Sequence, residues 1–279
     1  MFSGRITPEQ LRGRLAPGGP WVDLVCLGTT DSTNGVAMEM AEAGAPHGTV
    51  VVADGQTGGR GRHGRRWVSP PGRNVYASLI VRPEMPVSEA SGLSLAAGVA
   101  LADAAERAGV PALLKWPNDL YLGDRKAAGI LVETAVGQGG ARHAVVGVGI
   151  NVNLAGDEIP AEIRGKATSL RIRAGREFSR AEVLALFLDA FARRYAEFAA
   201  GGFKAIHPAW ERRDMLRGRR VLVLRAGEEA RGVALGVAGD GALRFRPDAS
   251  GAEERLFSGE ILEFETILSR EAKDTGCFS

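Results

Sequence analysis

The segment Gly59-Arg60-Gly61-Arg62-His63-Gly64-Arg65-Arg66-Trp67 brings together the residue types that bind anions. Five of the ten residues from Gly55 to Gly64 are glycine, and between Gly55 and Pro83 there are six arginines (Arg60, Arg62, Arg65, Arg66, Arg73, Arg82) and no acid. Glycine lets backbone N–H groups approach an anion and lets a loop reshape, while guanidinium forks grip phosphate or carboxylate oxygens with two bonds at once. The loop is therefore expected to bind a polyanionic small molecule, although its composition alone also fits a mobile, solvated basic loop. Gly59, Gly61 and Gly64 satisfy GxGxxG, yet Arg65-Arg66-Trp67-Val68-Ser69-Pro70-Pro71 cannot open the helix that a dinucleotide fold requires there. No GxxxxGK[ST] occurs, and an RNA-binding Arg-Gly segment belongs in a disordered chain rather than between apolar strands.

Two further clusters carry polar groups at strand ends. Lys115-Trp116-Pro117-Asn118-Asp119 is followed by Arg125-Lys126-Ala127-Ala128-Gly129-Ile130-Leu131-Val132-Glu133, with Lys126 expected at the mouth of a strand beside the small Gly129. Taken alone, the first is a good turn and Lys126 an ordinary surface lysine. Gly147-Val148-Gly149-Ile150-Asn151-Val152-Asn153 reads as a strand whose glycines mark a close approach.

These clusters sit in an α and β mixture. Strand-like runs at 21–27, 48–54, 74–82, 126–136 and 142–152 alternate with helical patterns at 32–43, 87–108, 179–200 and 202–215. Ser179 can cap the third helix with Glu182 completing a capping box and Phe178 stapling onto Val183. After Leu216 the texture changes to short alternating runs over 219–264, broken by Gly227, Gly239-Asp240-Gly241 and Gly251, which marks a small all-β module with tight hairpins. A boundary is expected near 216–218 and a loosely held tail from 267.

The 279 residues carry 35 Lys and Arg against 33 Asp and Glu, a formal charge of +2, so the surface as a whole is not the field of a general nucleic-acid binder. No apolar run reaches the roughly 18–20 residues of a membrane span and the first twenty residues lack a signal peptide's apolar stretch, which makes the cytoplasm the default expectation. Cys26 and Cys277 have neither disulfide density nor metal spacing, and the four histidines are scattered, so no protein-held metal site is expected.

GRGRHGRRW (59–67), KWPND (115–119), RKAAGILVE (125–133) and GVGINVN (147–153), in this order and followed by a small β module, resemble the biotin–protein ligases over about residues 20–265. The resemblance implies an α+β fold: a mixed β-sheet catalytic domain with helices on one side, at 21–216, then an SH3-like barrel at 217–266, with 1–20 an N-terminal extension and 267–279 a flexible tail. It also implies adenylation of biotin by ATP, with Mg²⁺ brought by the phosphates and one carboxylate at most, then transfer to a lysine of a biotin carboxyl carrier protein. Residue by residue it assigns Ser32, Thr33, Asn34, Gln56, Arg60, Gly61, Arg62 and Lys126 to biotin. To ATP it assigns Arg60, Arg62, Arg65, Trp67, Asn118, Lys126 and Asn151, with Trp67 stacking on adenine. Lys126, Arg62 and Asp119 are the expected catalytic groups. No DNA or membrane partner is implied, since the catalytic pattern begins by Trp21 and leaves no room for the helix-turn-helix repressor domain that some members carry; a homodimer stays open. A lipoate–protein ligase and a non-catalytic biotin-binding protein are the alternatives.

Overall fold

The computed structural model describes residues 4–84, 89, 91–137 and 140–265. The larger sheet contains β1 Leu24–Thr30, β2 Val50–Gln56, β3 Val75–Val81, β4 Leu113–Lys115, β5 Asp119–Leu122, β6 Arg125–Gly137 and β7 Gly140–Ile150. Its order is β1-β2-β3-β7-β6-β5-β4, with β1 and β2 parallel and every other neighbouring pair antiparallel.

Alternation along the strands assigns the two faces. Val50 and Val52 of β2, Ala77 and Leu79 of β3, and Val146 and Val148 of β7 enter the main core beneath helices α3 (Ser91–Arg107) and α5 (Arg180–Glu211). The intervening Val51, Ile80 and Val145 form a separate cluster with Ala37 and Ala41 of helix α2 (Thr33–Glu42). The expected one-sided arrangement of helices is thus corrected: small alanines let α2 lie against the opposite face. Because α2 covers only one end of that face, Ser78, Gly147 and Gly149, further along the same strands, are left to line or support a cavity.

The other departures are local. Strand β1 starts three residues later than expected because Trp21 is taken up in a stack against Phe191, with ring centroids 6.3 Å apart. Strands β4 and β5 flank the 116–118 turn, where no strand was expected. Helix α5 spans both of the helices read at 179–200 and 202–215, with the break between them surviving as a kink at Gly202 (φ 63°). Ser179 accepts from Glu182 N at 3.3 Å as expected, but the return bond of a capping box is not formed. Two short helices, α1 (Pro8–Arg12) and α4 (Leu170–Ala174), were not expected, although Thr7-Pro8-Glu9-Gln10 forms a capping box at the first and Ser169 and Gly175 cap the second. Part of the start expected for α3, residues 87, 88 and 90, and the tail from 267 lie outside the described residues.

The C-terminal strands β8 Arg220–Arg225, β9 Glu228–Val237, β10 Leu243–Pro247, β11 Glu254–Leu256 and β12 Glu260–Phe264 form a second, antiparallel sheet in the order β11-β10-β9-β8-β12. Its first hairpin turns through Ala226 (φ 48°) and Gly227 (φ 85°), the pair of positive φ values that a two-residue connection between twisted strands requires. This small β module is not insulated from the rest: Val221, Val223, Phe245 and Ile261 belong to the main core, and Trp116 Nε1 donates to Gly241 O at 3.1 Å.

Candidate active site

A cavity of about 530 Å³ lies on the face of the large sheet that α2 leaves open, within the range of small-molecule sites. Every residue expected to serve biotin, ATP or catalysis lines it. Ser32, Thr33, Asn34 and Gln56 form one end; Arg60, Gly61, Arg62, Arg65 and Trp67 arrive on the glycine-rich loop; Asn118, Asp119, Lys126 and Asn151 come from the strands opposite.

The first end is built by the start of α2. Ser32 stands at the N-cap position yet makes no side-chain capping bond, so its hydroxyl is not consumed by the helix. Thr33 donates from its backbone N to Gln56 Oε1 at 2.9 Å, and Gln56 Nε2 donates to Ser69 Oγ at 3.0 Å. Asn34 lies across the sheet, its Oδ1 accepting from Ser78 Oγ at 2.6 Å and its Nδ2 donating to Glu133 Oε2 at 2.7 Å. Ser78, Gly147 and Leu131 are cross-strand neighbours, and Gly147 is what makes room: a Cβ there would sit 2.0 Å from Asn34 Oδ1.

Trp67 uses the next row. Gly129 pairs with Gly149 across β6 and β7, and a Cβ on Gly149 would fall 2.4 Å from Trp67 Nε1. The glycines that suggested a close approach are therefore approached by the protein's own Asn34 and Trp67. Lys126 Nζ sits 5.4 Å from the Trp67 ring centre and 2.6 Å from Asp119 Oδ1. That carboxylate oxygen is buried and makes an ion pair without an aligned hydrogen bond. Asn118 is a fixed corner rather than a free polar group, since its Nδ2 donates to Ile130 O at 2.8 Å. The amide of Asn151 is also engaged: Nδ2 donates to Thr168 O at 3.0 Å, and Oδ1 accepts from the fully buried Asn74 at 3.5 Å.

The arginine loop is closed on itself by Gly61 N donating to Arg65 O and Trp67 N donating to Gly59 O. It is also fastened to the C-terminal module. Arg62 Nη2 donates to Gly259 O at 3.3 Å, and Arg65 pairs with Glu260. Burial works against the charged form of Arg62, with the carboxylates of Asp119 and Glu260 opposing that effect. Beside them the buried Lys115 donates to Ile261 O at 3.0 Å, and burial pushes its ammonium below the usual lysine range.

Residues 27–151 match the model of the Biotin/lipoate A/B protein ligase family. Over 259 residues the chain is 35% identical to the bifunctional ligase/repressor BirA of Bacillus spizizenii, which covers 92% of this chain and 79% of that protein. The biotin–[acetyl-CoA-carboxylase] ligase of Paracoccus denitrificans is 38% identical over 229 residues, covering 80% of this chain and 94% of that one. The chain belongs to the biotin–protein ligase family. The biotin protein ligase from Aquifex aeolicus, solved in complex with biotin and ATP, superposes on this ligase with a TM-score of 0.75 at 31% identity, covering 88% of this chain and 100% of that one.

Sequence reasoning missed the part of this ligase's cavity contributed from far away. Glu260, Ile261 and Leu262 of β12 line its wall, and nothing in their local pattern distinguishes them from any edge-strand residues. Lys115 lay inside a motif already singled out, and Ser78 could have been flagged as a hydroxyl in an otherwise apolar strand. Among the described residues no group of three or more His, Cys, Asp or Glu is placed to hold a metal ion. Two carboxylates line the cavity, Asp119 paired with Lys126 and Glu260 paired with Arg65, so a cation accompanying phosphates would take most of its ligands from phosphate and water. Among the described residues no helix is long and apolar enough to cross a membrane.

Proposed function

We propose that this ligase forms its amide bond in two stages within the one cavity. A biotin carboxylate oxygen attacks the α-phosphorus of ATP and the bond to the β-phosphate breaks, giving biotinyl-5′-AMP and pyrophosphate. The ε-amine of a lysine on a biotin carboxyl carrier protein then attacks the acyl carbon, AMP leaves, and the amine loses a proton. Two anions must meet in the first stage, so fixed cations where their charge converges supply the stabilisation. Lys126 is placed for this role between Asp119 and Trp67, with Arg62 over the phosphates and Arg60 and Arg65 flanking them.

In this reading the ureido head of biotin lies against Ser32, Thr33, Asn34 and Gln56, and Gly61 lets the loop backbone close over the adenylate. Trp67 offers a ring face to adenine beside Asn118. Asp119 orients the Lys126 ammonium and is a carboxylate available to Mg²⁺ arriving with ATP. Asn151 serves the nucleotide end indirectly: its bond to Thr168 O holds the 166–168 segment, whose backbone brackets Lys126 through Lys126 N to Lys166 O at 2.8 Å and Thr168 N to Lys126 O at 2.9 Å. The catalytic unit at 21–216 and the module at 217–266 are parts of the same proposal, with the module completing the nucleotide side of the wall.

The observation that carries the reading is the convergence of a hydrogen-bonding end, a cationic loop and the Lys126–Asp119 pair on a single cavity. Mixing the protein with ATP and either biotin or lipoate tests it. Pyrophosphate release is expected with biotin; release with lipoate alone would replace this reading with the lipoate one, and biotin binding without release would make the protein a non-catalytic binder.

A further inference from the structure

We propose that Glu133, which does not line the cavity, is a positioning residue that sets the hydrogen-bond polarity of the pocket's polar end, and so its preference for a ligand that donates N–H groups there. This rests on the reading of that end as the ureido site.

A carboxylate can only accept, so the 2.7 Å contact from Asn34 to Glu133 Oε2 must use the Asn34 NH₂, and a second proton of that NH₂ goes to Leu131 O at 3.2 Å. The Asn34 oxygen is thereby turned toward Ser78 Oγ, 2.6 Å away. Ser78 has one proton, and an amide oxygen can only accept, so that proton is committed to Asn34. The single Thr33 proton then lies between two acceptors, Ser78 Oγ at 2.8 Å and Gln56 Oε1 at 3.2 Å. With its own proton drawn inward, Thr33 presents a lone pair to the cavity, an acceptor suited to a urea N–H. Ser78 and Asn34 are buried, so no water competes to reset the order.

Glutamine at position 133 would loosen the constraint, leaving Leu131 O alone to hold the Asn34 NH₂. Its own NH₂ could donate to an Asn34 amide turned end for end, at the loss of the Leu131 bond; Ser78 would then accept from Asn34 and donate to Thr33, and the Thr33 proton would turn between Gln56 Oε1 and the cavity. An acceptor-only position in the string of hydrogen bonds would become a mixed one.

Glu133 also pairs with Arg60 at 3.4 Å, but the Arg60 side chain is half exposed, so that contact is screened by salt whereas the buried string is not.

Calorimetric titration with biotin, and with its cyclic carbamate analogue, in which a ring oxygen replaces one urea N–H, tests the proposal in the absence of ATP. Glu133→Gln is expected to weaken biotin binding by about tenfold and to narrow the discrimination between the two ligands, a loss of the size of one or two buried hydrogen bonds. The loss should persist at about 0.5 M salt. Ser78→Ala cuts the same string at its middle, and it carries the test if Glu133→Gln does not fold; the double variant should bind no more weakly than the worse single one. Unchanged biotin affinity in both single variants, additive losses in the double, equal weakening of both ligands, or a defect that vanishes at high salt would each overturn the proposal. Failure of the wild type to bind biotin would instead overturn the reading of the site.

Discussion

Arg62 donates to the carbonyl of Gly259 across 197 residues of chain. Together with Arg65 and Glu260 it makes the glycine-rich loop a strap between the large sheet and the C-terminal module. An acyl-adenylate is a mixed anhydride that must be kept from water and stray amines until the carrier lysine arrives. Replacing Arg62 with Gly leaves Arg60, Arg65 and Lys126 to neutralise charge but releases one end of the strap. The variant should form adenylate and leak it. Incubation with ATP, biotin and an unrelated lysine-rich protein, probed with streptavidin, should show raised bystander labelling at comparable pyrophosphate output; equal labelling would remove the retention role from Arg62.

In the proposed mechanism, Lys126→Ala takes away the cation that serves the meeting point of carboxylate and phosphate. Adenylate formation should fall by at least about 100-fold, the range seen when a fixed electrostatic stabiliser is lost. Asp119 would then be left as a buried carboxylate without its ion pair. Pyrophosphate release measured under single-turnover conditions checks this, and a wild-type rate would dismiss Lys126 as a catalytic group.

The two glycines of β7 should separate the two substrates. An alanine at Gly147 meets Asn34 Oδ1 at 2.0 Å, while one at Gly149 meets the Trp67 indole at 2.4 Å. Gly147→Ala is expected to raise KM for biotin chiefly, and Gly149→Ala to raise KM for ATP chiefly, each by about tenfold or more given the size of the overlap. Steady-state kinetics with each substrate varied in turn decides it; the reverse pattern would exchange the ends of the cavity.

Burial holds the Lys115 ammonium below its ordinary value of 10.5, with Asp119 acting in the opposite direction. The unfolded chain then keeps this proton to higher pH than the folded chain does. Stability at this position therefore rises with pH across the window between the depressed folded value and the unfolded one. Relative to Lys115→Met, the wild type should gain in unfolding free energy as the pH rises toward the ordinary lysine value of 10.5, as read from urea transitions at matched ionic strength. A flat or falling difference would mean the lysine is not penalised by burial.

The structure argues against a catalytic unit that folds and binds biotin without the C-terminal module. Trp116 is 2% exposed and donates to Gly241 O, and Val221, Val223, Phe245 and Ile261 share its core. A chain ending after Leu216 would uncover this surface, and each large buried apolar side chain laid bare forgoes roughly 1.5–3 kcal/mol. Truncation is expected to give an insoluble or molten product by solubility and near-UV circular dichroism; a native-like biotin-binding fragment would show the core to be separable.

What could be read from sequence was what repeats or clusters locally. Apolar runs of strand length exposed β2, β3 and β7, and the arginine and glycine density of 59–67 exposed the loop. The three residues of β4 are too few to show a period, and α2 gave no sign of which sheet face it would choose, because that depends on the small Ala37 and Ala41 meeting Val51, Ile80 and Val145. Asn151 shows the limit from another side. The family resemblance assigned it to the nucleotide and it does line the cavity, but only the geometry shows its amide spent on Thr168 and Asn74.

Of the strands described, the one that walls off the cavity is the last to leave the ribosome. Strand β12 pairs with β8 and brings Glu260 and Ile261 to partners, Arg65 and Lys115, synthesised long before. A nascent chain can therefore assemble the large sheet, with Asn34 and Trp67 settled on their glycines, while the loop still waits for its anchor. Biotinylating competence arrives late in translation, and a ribosome stalled short of residue 260 holds a protein with most of its sheet and an unfinished pocket.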